Sequence, residues 1–183
     1  MEKYVVSARK YRPTNFKDVV GQNHVTTTLN NAIKNNKVAQ SLLFCGPRGV
    51  GKTSCARILA NQINGFNNDN PLKNTNNLNI YELDAASNNS VDDIRNLIDQ
   101  VRYAPQAGKY KVYIIDEVHM LSNAAFNAFL KTLEEPPPHV VFILATTDPH
   151  KVPQTILSRT QRFDSKRLSI QLISSHLIEV LNR

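Results

Sequence analysis

Three short stretches, Ser41–Cys45, Tyr110–Ile115 and Val140–Ala145, are almost wholly apolar and show no alternation with polar residues. Their length and pattern predict strands buried on both faces, as in a parallel sheet. Elsewhere the apolar residues recur at helical spacing. Val25, Leu29, Ala32 and Ile33 predict a helix from about Val25 to Asn35, and Ile58, Leu59 and Ile63 predict one over Lys52–Ile63. A helix over Ser90–Val101 follows from Ser90 as N-cap with Asp92 and Asp93 in the first turn. Ala124–Leu133 reads as a helix halted by Pro136-Pro137-Pro138. Weaker signals predict strands at Ile80–Leu83 and Gln161–Phe163 and a short helix at Thr155–Ser158. A last helix, Ile170–Leu181, sets Ile170, Ile173, Leu177 and Leu181 on one face. Asn64–Asn79, rich in asparagine and aperiodic, reads as a long loop.

Strands alternating with helices point to an α/β fold with three layers, a mostly parallel central sheet between helices. A chain of 183 residues supports one such domain and little more. Residues 1–167 are expected to form this α/β domain, and 168–183 the first helix of a second, small helical domain cut short.

Composition narrows the class. At 41% hydrophobic and 20% charged, the chain reads as globular. It has no apolar run of membrane-span length and no signal-peptide pattern at Met1–Lys10, which predicts a cytoplasmic protein with no membrane partner. Two cysteines, Cys45 and Cys55, are too few for a structural zinc site and read as small buried hydrophobes. A net charge of +7 favours a polyanionic partner such as nucleic acid, although solubility alone also accounts for it.

The chemistry begins at Gly46-Pro47-Arg48-Gly49-Val50-Gly51-Lys52-Thr53, which fits G-x-x-x-x-G-K-[ST] between a strand and a helix. Glycines let backbone N–H groups turn toward phosphate oxygens, and the following helix start, with Ser54 in its first turn, adds a favourable dipole. Lys52 would meet the β- and γ-phosphates of ATP, and the Thr53 hydroxyl would ligate Mg²⁺. A chance match has a probability on the order of 1% from average residue usage.

Asp116-Glu117 closes an apolar strand, where parallel sheets carry their ligand sites. Asp116 would hold Mg²⁺ and Glu117 would polarise the attacking water. Alone, the pair would be an ordinary acidic turn; the loop upstream gives it a purpose. His119 completes Asp-Glu-Val-His, a helicase-like string, but the chain is too short for a two-lobed helicase, and a structural or packing role is preferred for it. Leu144-Ala-Thr146-Thr147-Asp148 ends the third strong strand with hydroxyls, which could sense a γ-phosphate or simply cap the strand. Arg159 could be a surface residue or could reach a neighbouring subunit's site. Lys131 is a candidate for DNA contact, with a solvated surface lysine the plainer reading.

Together these segments resemble the AAA+ ATPase domain of the gamma/tau subunits of bacterial DNA polymerase III, the clamp-loader motor. The resemblance covers nearly the whole chain. It rests on Ala8-Arg-Lys-Tyr-Arg-Pro13, Phe16-Lys-Asp-Val-Val-Gly-Gln22, the phosphate loop, Glu82-Leu-Asp-Ala-Ala-Ser87, Ile115-Asp-Glu-Val-His-Met-Leu-Ser122, Phe126-Asn-Ala-Phe-Leu-Lys-Thr-Leu-Glu-Glu-Pro-Pro137, Leu144–Asp148 and Ile156-Leu-Ser-Arg159. It implies Thr147 as γ-phosphate sensor, Arg159 as a finger acting in trans, and Tyr11, Arg12, Pro13 and Val20 around the adenine. It also implies a ring-like pentamer with other clamp-loader subunits, a sliding clamp and primer–template DNA as partners in DNA replication. A non-catalytic scaffold subunit, the alternative, would lack the loop lysine that is kept here.

The chain departs from the family in two places. A four-cysteine zinc module usually follows the phosphate-loop helix, whereas Asn64–Asn79 has no cysteine, so no zinc and a flexible loop are expected. Thr160 stands where a cysteine usually follows Ser-Arg. The family's full lid and its collar fall outside these residues, so this chain by itself is expected to be mostly monomeric with weak ATPase activity.

Overall fold

A computed structural model describes residues 6–66, 78–106 and 108–182. Five strands form one sheet: β1 (Ser41–Cys45), β2 (Ile80–Asp84), β3 (Lys111–Asp116), β4 (Val140–Thr146) and β5 (Gln161–Asp164). Their order is β2-β3-β4-β1-β5, and every pairing is parallel. The helices are α1 (Ser7–Lys10), α2 (Asn23–Lys34), α3 (Lys52–Ile63), α4 (Val91–Val101), α5 (Asn123–Glu134), α6 (Gln154–Leu157) and α7 (Ile170–Leu181).

Side chains on a strand alternate between faces, so each central strand feeds two cores. Leu43, Tyr113, Ile115, Phe142 and Leu144 pack with α4 and α5. Leu42, Phe44, Val112, Ile114, Val141 and Ile143 pack on the other side with α2 and α3. β1 and β4 are buried at every position, as their unbroken apolar runs predict. Phe129 of α5 meets Phe142 edge-on at 5.0 Å between ring centres, locking that helix to the sheet. The three layers and parallel sheet are thus those expected.

Element ends shift by a few residues. β3 starts at Lys111 rather than Tyr110, and β2 runs on to Asp84. α2 begins at Asn23, two residues before its first apolar position. Ser90 caps α4 as expected, and Asp93 completes a capping box by accepting the Ser90 N–H. Most of the expected Asn64–Asn79 loop, residues 67–77, lies outside the described residues. Its two ends are fixed points. Buried Asn64 accepts the N–H groups of Lys109 and Tyr110, and buried Asn79 accepts that of Gln106.

The last helix forms where its period places it. It buries no residue, and Ile170, Ile173, Leu177 and Leu181 are exposed. Its lead-in is nevertheless tightly held. Gln22, fully buried, donates to the Lys166 carbonyl at 2.8 Å and accepts the Lys166 N–H at 3.0 Å. Gly21, at φ +73°, lies so close to Leu168 that a Cβ would stand 2.3 Å from its Cδ2. Among the described residues no helix is long and apolar enough to cross a membrane.

Candidate functional site

The expected site residues gather at the C-terminal ends of β1, β3 and β4. Strand β1 ends at Cys45, and the Gly46–Gly51 turn leads straight into α3. Gly46, Gly49 and Gly51 all take positive φ, a backbone that L side chains rarely adopt. A Cβ at Gly49 would meet nothing within 4 Å, so this backbone is open to a close-approaching ligand. Val50 is buried beneath the turn, Arg48 projects outward, and Ser54 is half-buried in the first turn of α3.

Lys52 curls back across the loop. Its buried ammonium donates to the carbonyls of Gly46 at 2.7 Å and Pro47 at 2.8 Å. Burial pushes the Lys52 pKa below its ordinary value, against the opposing pull of Glu117 and Asp116. The ammonium is thus a desolvated cation facing two carboxylates, poised to interact with a polyanion.

Thr53 and Asp116 lie 63 positions apart in sequence, and their side chains meet: the Thr53 hydroxyl donates to Asp116 Oδ2 at 2.6 Å. A hydroxyl and a carboxylate converging beside a phosphate-type loop are hard oxygen donors, which suits Mg²⁺. Asp116 Oδ1 accepts the Glu117 N–H at 2.9 Å. Glu117 itself is left-handed, with φ +48° and ψ +43°, strained for a residue with a side chain. That conformation turns its carboxylate toward β4. There the Thr147 hydroxyl donates to Glu117 Oε2 at 2.8 Å, reinforced by the Thr147 N–H at 3.3 Å. Arg48 Nε stands 3.8 Å from the other oxygen, Oε1.

Tyr11, Arg12, Pro13 and Val20 all line one cavity of about 280 Å³, and His176, Glu179 and Val180 of α7 form its far wall. The neighbouring Val19 reaches the phosphate loop: a Cβ on Gly51 would lie 3.7 Å from Val19 Cγ1. Arg159 is placed apart from these groups. It forms an ion pair with Glu134 and donates to the Thr155 carbonyl at 2.6 Å, bridging the ends of α5 and α6. Lys131 is exposed on α5.

His119, for which a structural or packing role is expected, is largely buried, and a short 3₁₀ turn over Val118–Met120 brings its ring back toward Glu117 and Thr146. The Glu-x-His spacing on a tight turn was the available signal.

Residues 21–169 match the family model described as DNA polymerase III, delta subunit. The chain belongs to this family. Among its relatives, the DNA polymerase III subunit tau of Bacillus subtilis is 52% identical over 98% of this chain and 34% of that protein. The tau subunit of Escherichia coli is 50% identical over 98% of this chain and 30% of that protein. The resemblance to gamma/tau AAA+ domains is thereby borne out. The chain spans about a third of the length of these tau relatives. In fold, it is similar to a RuvB motor of Thermotoga maritima, with a TM-score of 0.68 at 19% identity, covering 94% of this chain and 56% of that one. It is likewise similar to a DNA polymerase III gamma-subunit-related protein of Thermotoga maritima, with a TM-score of 0.64 at 22% identity, covering 85% and 54%. These likenesses establish the P-loop α/β fold.

Proposed function

We propose that this chain is the ATP-binding and ATP-hydrolysing motor domain of a DNA polymerase III clamp loader, acting in DNA replication in the cytoplasm. The observation that carries the reading is the convergence of Lys52, the Thr53–Asp116 pair and the Glu117–Thr147 pair around one glycine-rich turn. A non-catalytic nucleotide binder would have no use for the second pair.

The turn over Gly46–Gly51 cradles the phosphates with its N–H groups, and Lys52 exchanges its carbonyl partners for β- and γ-phosphate oxygens. Thr53 and Asp116 would hold Mg²⁺, which would supply positive charge to offset that of the phosphates. Glu117 accepts a hydrogen bond from the attacking water and aligns it on the γ-phosphate. Thr147 has a single hydroxyl proton, so donating it to a γ-phosphate oxygen means releasing Glu117. That exchange would make Thr147 a sensor of the bound nucleotide. Tyr11, Arg12, Pro13 and Val20 enclose the adenine against α7, which we assign, with residues 168–183, to the start of a lid. Arg159 serves a neighbouring subunit's γ-phosphate in a ring-like pentamer that engages a sliding clamp and primer–template DNA.

A DNA-stimulated ATPase assay tests the reading. Turnover by the wild type, lost in Lys52→Ala and in Glu117→Gln, supports it. Wild-type nucleotide binding with no turnover, even with partner subunits, clamp and DNA, leaves only a scaffold role.

A further inference from the structure

Glu117 Oε2 is the most heavily engaged carboxylate oxygen in the site. It accepts the Thr147 hydroxyl and N–H, and the Nδ1 of His119 faces it at 3.5 Å. Oε1 has the exposed Arg48 side chain at 3.8 Å. One oxygen is therefore anchored, and the other is left to act.

His119 is itself well held. Its side chain is only 10% exposed, and Nδ1 pairs with Thr146 Oγ1 at 2.9 Å. Thr146 is fully buried, and its Oγ1 also accepts the Asp148 N–H at 3.1 Å. A hydroxyl oxygen has two acceptor positions, so Thr146 can take a second donor. The Nδ1–Thr146 contact is compatible with either imidazole tautomer. The carboxylate decides between them: an Oε2 at 3.5 Å favours a proton on Nδ1 and repels a bare lone pair there.

We propose that His119 is a positioning residue for Glu117. Its Nδ1–H spans Thr146 and Glu117 Oε2 and keeps the carboxylate aimed while Oε1 meets the water. This rests on the hydrolytic reading above. The role matters most when Thr147 turns to the nucleotide, because Oε2 then loses its hydroxyl donor. Glu117 sits in a strained left-handed backbone that does not by itself fix its side chain, so a second side-chain donor has a task to perform.

Three substitutions separate positioning from packing. His119→Phe keeps the ring volume without a donor, His119→Ala removes both, and His119→Asn keeps an N–H near the place of Nδ1. We expect all three to bind ATP like the wild type. Phe and Ala should lower kcat about 10- to 100-fold with KM little changed, as misplacement of a reacting group does. Asn should recover most of the turnover. Nitrogen-15 spectra of the wild-type imidazole should show the Nδ1–H tautomer, with a clear shift in Glu117→Gln. Wild-type turnover in His119→Phe, or an Nε2–H tautomer in the native chain, would overturn the assignment. If the wild type turns over no ATP in its assembled complex, the hydrolytic reading fails and this one falls with it. If the wild type is active and His119→Phe equals it, only the His119 assignment fails.

Discussion

Thr53 and Asp116 meet at 2.6 Å across two different elements, the first turn of α3 and the end of β3. On the proposed reading both oxygens hold the divalent cation, so their substitution should act through the metal. Asp116→Asn and Thr53→Val are expected to weaken Mg·ATP binding by about tenfold or more, at least ~1.4 kcal/mol. Binding of ATP without metal should change far less. Fluorescent-nucleotide titrations with Mg²⁺ and with EDTA read the difference; equal loss in both would remove these residues from the metal site.

Gly21, next to the cavity-lining Val20, packs against Leu168 and against Leu172 of α7. Its φ of +73° strains any residue with a side chain, and Leu168 Cδ2, 2.3 Å from a Cβ placed there, would have to move. Gly21→Ala should cost about 1–3 kcal/mol through overpacking, and a little more through backbone strain. We expect a Tm lower by several degrees together with weaker adenine-nucleotide binding. Calorimetry and a titration on the same sample check both, and unchanged affinity in a destabilised protein would separate α7 from the adenine.

Arg159 is bound to Glu134 and to the Thr155 carbonyl of its own chain. In an assembled ring it should be needed by the neighbour rather than by its own loop. Arg159→Ala is therefore expected to bind ATP normally and to lose turnover on the order of 10³-fold in a complex built from that variant alone. Mixed complexes decide the direction: subunits carrying Arg159→Ala should regain activity beside wild-type neighbours. Normal turnover in the uniform Arg159→Ala complex would return this arginine to a structural bridge.

Cys55 is buried in α3, and burial pushes its pKa up to about 11. The ordinary value is 9.0, so the unfolded chain sheds this proton first. A group held protonated by the fold adds stability below the unfolded value and loses it as pH rises through the folded one. Stability should thus fall between pH 9 and about 11, by roughly 2–3 kcal/mol from this thiol. Cys55→Ala should flatten that part of the profile. In the native protein at pH 8, both buried cysteines should resist thiol reagents that label them once unfolded; rapid native labelling would contradict the burial.

Much of this was legible because strong local signals coincide with the global fold. β1, β3 and β4 are apolar runs with one plausible environment, and the phosphate loop is spelled in contiguous residues. Ser90 announces its helix through a cap whose partner is three positions away. What the sequence concealed depends on partners that are distant in the chain. Nothing local marks Gln22 as buried, since its partner Lys166 lies 144 positions away. Asn64 and Asn79 look like loop filler, yet they satisfy backbone groups across a turn that no period marks. Helix α7 was legible as a helix but not as one with its apolar side uncovered, because amphipathicity reports a preference and not a partner. The partner of His119 was equally hidden, because Thr146 stands at the end of β4, which only strand pairing brings alongside.

The pair of hydrogen bonds between Gln22 and Lys166 also bears on the order of assembly. It joins residues 144 positions apart, and the cavity between Tyr11–Val20 and α7 likewise takes its walls from segments far apart in the chain. Contacts of such separation carry the largest loop-closure entropy and come late in folding. On a ribosome, the phosphate loop can take shape while α7 is still unmade, but the cavity cannot. Tight capture of a nucleotide would therefore mark a chain whose synthesis has passed α7.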